Sequence, residues 1–176
     1  MELLTKLKAL TSAQGAAGAE GPAGALLAQW CESLGEVKTD RFHNVLCTVR
    51  APKEGEPHLL LQAHLDEIGF MVTGADEEGF LSIHKIGWHD PAEIINARVV
   101  FPNGTRGIIK AKESAKTLSG AWTSITMEDL YLDIGASDKK TALKKAAVGD
   151  MAVFEGETRA VAGHRIMGPY ADDLIG

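Results

Sequence analysis

A chain of 176 residues with 45% hydrophobic and 24% charged residues has the length and balance of a globular protein holding one large domain or two small ones. Its net charge of -6 argues against nucleic acid or an anionic membrane as a partner. Two cysteines, Cys31 and Cys47, supply neither a disulfide framework nor a paired-cysteine zinc motif, and no apolar run is long enough for a signal peptide or a bilayer span, so a soluble, cytoplasmic protein is expected.

In chain order, Leu3, Leu4, Leu7 and Leu10 recur at helical spacing, and a loop rich in Gly and Ala follows from Gln14 to Gly24. Leu26, Leu27, Trp30, Cys31 and Leu34 line one stripe of a second predicted helix, which ends at Gly35. The period then becomes two. Asn44–Val49 and His58–Ala63 read as strands, and the unbroken apolar run LLLQA in the second is the pattern of a strand buried on both faces. After His64 the texture changes to short strand candidates at Ile68–Thr73, Phe80–Ile86, Ala97–Phe101 and Thr105–Lys110, with Asn103-Gly104 as the strongest hairpin signal. A helix is expected to open at Ser137 as its N-cap, and strands return at Met151–Phe154 and Arg159–Val161. The expected fold is α/β: a partial α/β domain of helices on a sheet over residues 1–66, an inserted antiparallel β-barrel-like domain over 67–163, and a return into the first domain over 164–176.

Two places carry candidate chemistry. In Gln62-Ala63-His64-Leu65-Asp66-Glu67, His64 ends the apolar run, where open α/β sheets place ligands, and Asp66 is near enough to hold one imidazole nitrogen. That tripeptide fits either a metal ligand with its orienting carboxylate or a satisfied structural histidine. The pair Asp172-Asp173 fits either a turn or helix start, or a hard oxygen ligand able to bridge two cations. His84 and His89 lack an acidic partner at useful spacing and read as hairpin residues. Lys139, Lys140, Lys144 and Lys145 read as a solvated helix face. Asp76, Glu77 and Glu78 read as a solubilising turn, and Asp133 as a residue bonded to a turn. Ser114, Ser119 and Ser124 have no His or Asp context for a nucleophile.

Taken together, these segments resemble, in order and over nearly the whole chain, the glutamyl aminopeptidase and cellulase-like family of dinuclear metallopeptidases, which includes the tetrahedral aminopeptidases. TSAQGAAGAE with Glu20 is similar to its opening loop, TDRFHNVL to its D-x-x-G-N strand, and AHLDEIGFMV to its metal-binding segment. MEDLYLDIGASDKKTALKKAAVGDMAVF and GPYADDLIG match further on. His43 stands where that family usually has glycine, Leu174 replaces an arginine, and a G-x-x-H stretch before DLYLDIGAS is missing.

The resemblance implies that His64 is a ligand of one metal, Asp66 its orienting catalytic carboxylate, and Asp172 the ligand bridging two divalent ions, zinc or cobalt, less surely manganese. It also implies peptide substrates and homo-oligomers formed through the inserted domain, with no nucleic-acid or membrane partner. The family's general base, a neighbouring Glu ligand, a further acidic ligand and a late histidine lie downstream of the aspartate pair. This 176-residue chain is therefore expected to represent the N-terminal half of the enzyme, inactive alone and binding no metal tightly. The competing expectation is a non-catalytic assembly or peptide-binding module built on the barrel.

Overall fold

The computed structural model of the chain describes residues 3–51, 53–115, 125–163 and 165–169. Asp172, Asp173, Leu174, Ser119 and Ser124 lie outside the described residues. The chain forms two compact units, Met1–Glu67 with Gly156–Gly176, and Ile68–Glu155.

In the first unit, α1 (Leu3–Ser12) buries Leu7, Leu10 and Thr11, the face its leucine spacing dictates. Helix α2 (Gly21–Cys31) starts with Pro at its first turn, where the missing N–H costs nothing. It buries Ala23 and Gly24, and Ala23 packs with Leu10 beside Ala13, Trp30 and Leu65. Strands β1 (Glu36–Thr39) and β2 (Val45–Thr48) pair antiparallel, with Val37 opposite Cys47. Their connection places His43 at φ 65°, the left-handed region that glycine enters most easily. Asp40 secures this turn by accepting from the backbone N–H groups of Phe42 and Asn44.

The predicted strand over His58–Ala63 does not form: residues 57–66 carry no ladder, and Leu59, Leu60 and Leu61 are 88%, 70% and 86% exposed. A strand is made by its neighbours, and among the described residues none lies alongside this run. Its apolar pattern records the environment the segment suits, not one that these residues provide.

The second unit is a closed antiparallel barrel. Its strands are β3 (Gly69–Ala75), β4 (Leu81–Ile86), β5 (Arg98–Val100), β6 (Arg106–Ala111), β7 (Leu130–Asp133) and β8 (Met151–Phe154), in spatial order β3-β4-β7-β6-β5-β8. Alternation makes the interior: Leu81 and Ile83 point in while Ser82 and His84 point out, and Gly107 and Ile109 alternate with Arg106, Ile108 and Lys110. Phe70, Val72, Leu81, Val99, Phe101, Ile109 and Leu132 fill the core, joined by Ala142 of helix α3 (Lys139–Lys145).

The turns follow from side-chain chemistry. Asn103 Oδ1 accepts from Thr105 N–H at 2.9 Å, and Gly104 takes φ 84°. Asp76 Oδ1 likewise accepts from Glu78 N–H and Phe80 N–H, so this acidic turn is structural as well as solubilising.

Three further expectations change. The N-cap of α3 is Asp138, not Ser137. Its Oδ1 accepts from Thr141 N–H at 2.8 Å and its Oδ2 from Thr141 Oγ1 at 2.8 Å, while Ser137 donates to it at 3.0 Å. A carboxylate with two acceptor oxygens outcompetes a hydroxyl for that place. His89 is not a solvated hairpin residue. It is buried, stacked on Phe70 at 4.8 Å with its Nε2 3.1 Å from Gly69 O, and burial holds its pKa low. Finally, Gly156–Gly163 group with the first unit. Thr158 bonds Thr11 at 2.8 Å there, and β9 (Arg159–Val161) pairs with β10 (Arg165–Met167).

Candidate metal-binding segment

The segment around His64 is held at both ends of a short backbone clasp. Glu67 N–H donates to Gly15 O at 2.7 Å, Ala17 N–H donates to Glu67 O at 3.3 Å, and Ala16 and Glu67 form an isolated parallel bridge. The Glu67 carboxylate adds a third tie, its Oε1 accepting from Gly15 N–H at 2.9 Å. On the other side Leu65 packs beside Ala23 and Leu10. Gly24 permits the close approach of the turn at His43, since a β-carbon there would stand 3.1 Å from His43 O. Leu65 and Glu67 are thus tied to the rest of the first unit, Asp66 lies between them, and His64 directly precedes Leu65.

His64 and Asp66 meet through one ring nitrogen. His64 Nδ1 lies 3.2 Å from Asp66 Oδ1 and 3.1 Å from Asp66 O, both half-exposed side chains. Facing two acceptors, Nδ1 carries the proton in the neutral ring, which leaves the lone pair on Nε2. A neutral imidazole held by a carboxylate in this tautomer has the donor chemistry of a metal ligand. Among the described residues, no group of three or more His, Cys, Asp or Glu side chains comes together to hold an ion. His64 and Asp66 are thus brought together at one ring nitrogen, and Asp172 lies outside the described residues.

Glu67 is the residue that sequence reasoning passed over. It is buried, its Oε2 has no hydrogen-bond partner among the described residues, as is true of Gln14 Oε1, and desolvation raises its pKa from 4.5 to about 7 against the opposing pull of Gly15 N–H. Gln14 sits at φ 53°, a conformation non-glycine residues seldom adopt. The available signal was a carboxylate directly before the apolar Ile68-Gly69-Phe70, a place where solvent is scarce.

Other sequence candidates among the described residues have structural contacts. Asp133 Oδ1 accepts from Gly135 N–H at 2.8 Å, a turn contact. Lys139 pairs with Glu77 at 3.1 Å on the surface of the barrel unit, and Lys144 and Lys145 occupy the last turn of α3, where the helix dipole favours cations.

The M42 glutamyl aminopeptidase family matches residues 43–176. A lysyl aminopeptidase of Pyrococcus furiosus is 29% identical over 80% of this chain and 41% of its own length. An aminopeptidase structure from Desulfurococcus kamchatkensis superposes with a TM-score of 0.86 at 30% identity, covering 98% of this chain and 48% of that one. The TET1 peptidase of Pyrococcus horikoshii, described as assembling into a tetrahedron or a large octahedral shell, superposes at 0.74 with 30% identity, covering 92% and 49%. The chain spans about half the length of the solved structures it matches.

Proposed function

Because the chain belongs to the M42 glutamyl aminopeptidase family, we propose that it supplies one part of a two-metal aminopeptidase site. In this reading His64 and Asp172 would hold the ions, and Asp66 holds the His64 ring. The observation that carries the reading is the His64–Asp66 contact at 3.2 Å, which sets the tautomer a ligand needs. The ions, zinc or cobalt or else manganese, would supply polarisation of the scissile carbonyl and activation of water next to a free N-terminus. This chain's own contribution is positional. The Gly15–Glu67 clasp fixes the backbone, Asp66 keeps the proton on Nδ1, and Leu65 anchors the segment on α2.

We further propose that the protein acts in the cytoplasm on peptides and assembles as a homo-oligomer through the barrel, in line with the shells described for the P. horikoshii peptidase. Among the described residues, no helix is long and apolar enough to cross a membrane. The second reading, an assembly or peptide-binding module without turnover, is favoured by one feature: the barrel unit is a closed structure with its own core, independent of any metal.

The test is to assay the purified chain on amino-acid arylamides with and without zinc or cobalt, and to follow zinc binding by calorimetry in the chain and in His64→Ala. The expected result is no turnover and weak binding that His64→Ala weakens further. Zinc binding unaffected by His64→Ala would refute the ligand assignment. Metal-dependent turnover lost in that variant would show that this chain completes a site by itself.

A further inference from the structure

Both cysteines of the chain lie in the first unit, and the fold brings them together. Cys31 is the last residue of α2, and Cys47 stands in the middle of β2 opposite Val37. Cys47 Sγ lies 3.7 Å from Cys31 O, which sets the thiol of one residue against the backbone of the other. Both are free and half-buried. Their separation of 16 residues is spanned by the helix exit, β1 and the turn at His43, so the contact is tertiary.

We propose that Cys31 and Cys47 are a modification site: a dithiol pair that a hydroperoxide converts to an intramolecular disulfide, stapling the end of α2 to β2. The geometry supports the inference through the Cys47 thiol directed at the carbonyl of Cys31 across 16 residues of sequence. The chemistry needs one oxidant and no other partner. A thiolate sulfur attacks a peroxide oxygen, an S–O bond forms as the O–O bond breaks, and the departing hydroxide takes up a proton to leave as water. The second sulfur then attacks the sulfenic sulfur, the S–S bond forms as the S–O bond breaks, and the second oxygen leaves as water with the remaining proton. Two thiols are oxidised by two electrons and one hydrogen peroxide is reduced to two waters.

Burial, with the Cys47 thiol as a second cause, pushes the Cys31 thiol up, so the first step is slow at neutral pH and quickens as pH rises. The staple acts where it matters for the candidate site, because α2 is the helix whose Ala23 packs beside Leu65, between His64 and Asp66. This inference stands whether or not the aminopeptidase reading holds.

The experiment treats the reduced chain with hydrogen peroxide in the native state and in urea, and follows intact mass and a non-reducing peptide map. The expected result is a monomer that loses two hydrogens, a linked peptide containing Cys31 and Cys47, recovery of both thiols with dithiothreitol, and a lower yield of linked peptide relative to singly oxidised cysteine peptides in urea. Cys31→Ser and Cys47→Ser should each abolish the mass loss. Oxygen added to separate cysteine peptides in native buffer, disulfides between copies, or an equal yield of linked peptide in native buffer and urea would overturn the proposal. The wild-type mass and the urea comparison decide the matter even if a serine variant fails to fold.

Discussion

Replacing Glu67 with glutamine removes a charge from a place that disfavours it, and the structure sets the size of the effect. Folded, the Glu67 carboxyl titrates at about 7, against 4.5 for an ordinary glutamate. Between those values the folded protein keeps a proton that the unfolded chain has released, so stability falls as pH rises and the loss is complete above about 7. The gap from 4.5 to about 7, at roughly 1.4 kcal/mol per pH unit, is worth about 3 kcal/mol. Glutamine keeps an oxygen to accept from Gly15 N–H and carries no charge at any pH. Urea unfolding of wild type and Glu67→Gln, followed by circular dichroism across pH 4.5 to 8, isolates this one group, because the other carboxylates are common to both. The two proteins should be nearly equal at the acid end, and the variant more stable by about 3 kcal/mol at the alkaline end. A difference that stays constant with pH would refute the account of a buried carboxyl as the cause.

Three further expectations concern the scaffold. His43→Gly should stabilise the chain by about 1 kcal/mol by relieving the left-handed backbone at φ 65°, read as a raised urea midpoint. Asp138→Ala should cost about 1 kcal/mol through loss of the α3 cap, while Ser137→Ala should change stability by less than about half of that; equal effects would reverse the cap assignment. Leu132→Ala, at a fully buried position in the barrel, should cost about 3 kcal/mol by leaving a cavity, measured by thermal unfolding.

What could be read from the residues depended on where the determining contacts lie. The barrel was legible because its strands need only a period of two and turns built from their own side chains, as at Asp76 and Asn103. The His64–Asp66 pair was legible because both partners sit two residues apart and the contact is local. The Leu59–Leu61 run misled because the burial of a strand belongs to its neighbours as much as to itself. Strand β1, with only Val37 apolar in Glu-Val-Lys-Thr, has no pattern of its own and exists through pairing with β2. His89, Glu67 and the meeting of Cys31 with Cys47 all depend on residues remote in sequence, so no window around any of them contains its explanation.

The closure of the barrel has a consequence for how such a chain can be edited. Gly69, at the entrance of the unit, pairs directly with Val153, near its exit, on the antiparallel strands β3 and β8. Partners in such a ladder have Cα atoms about 5 Å apart, a gap that one or two residues bridge. The whole of Ile68–Glu155 therefore leaves its surroundings through a doorway one strand-spacing wide. A gene could gain or lose this module by a single in-frame exchange for a tight turn without forcing the flanking residues to move. The excised segment, having no open sheet edge, should persist as a folding unit in its own right.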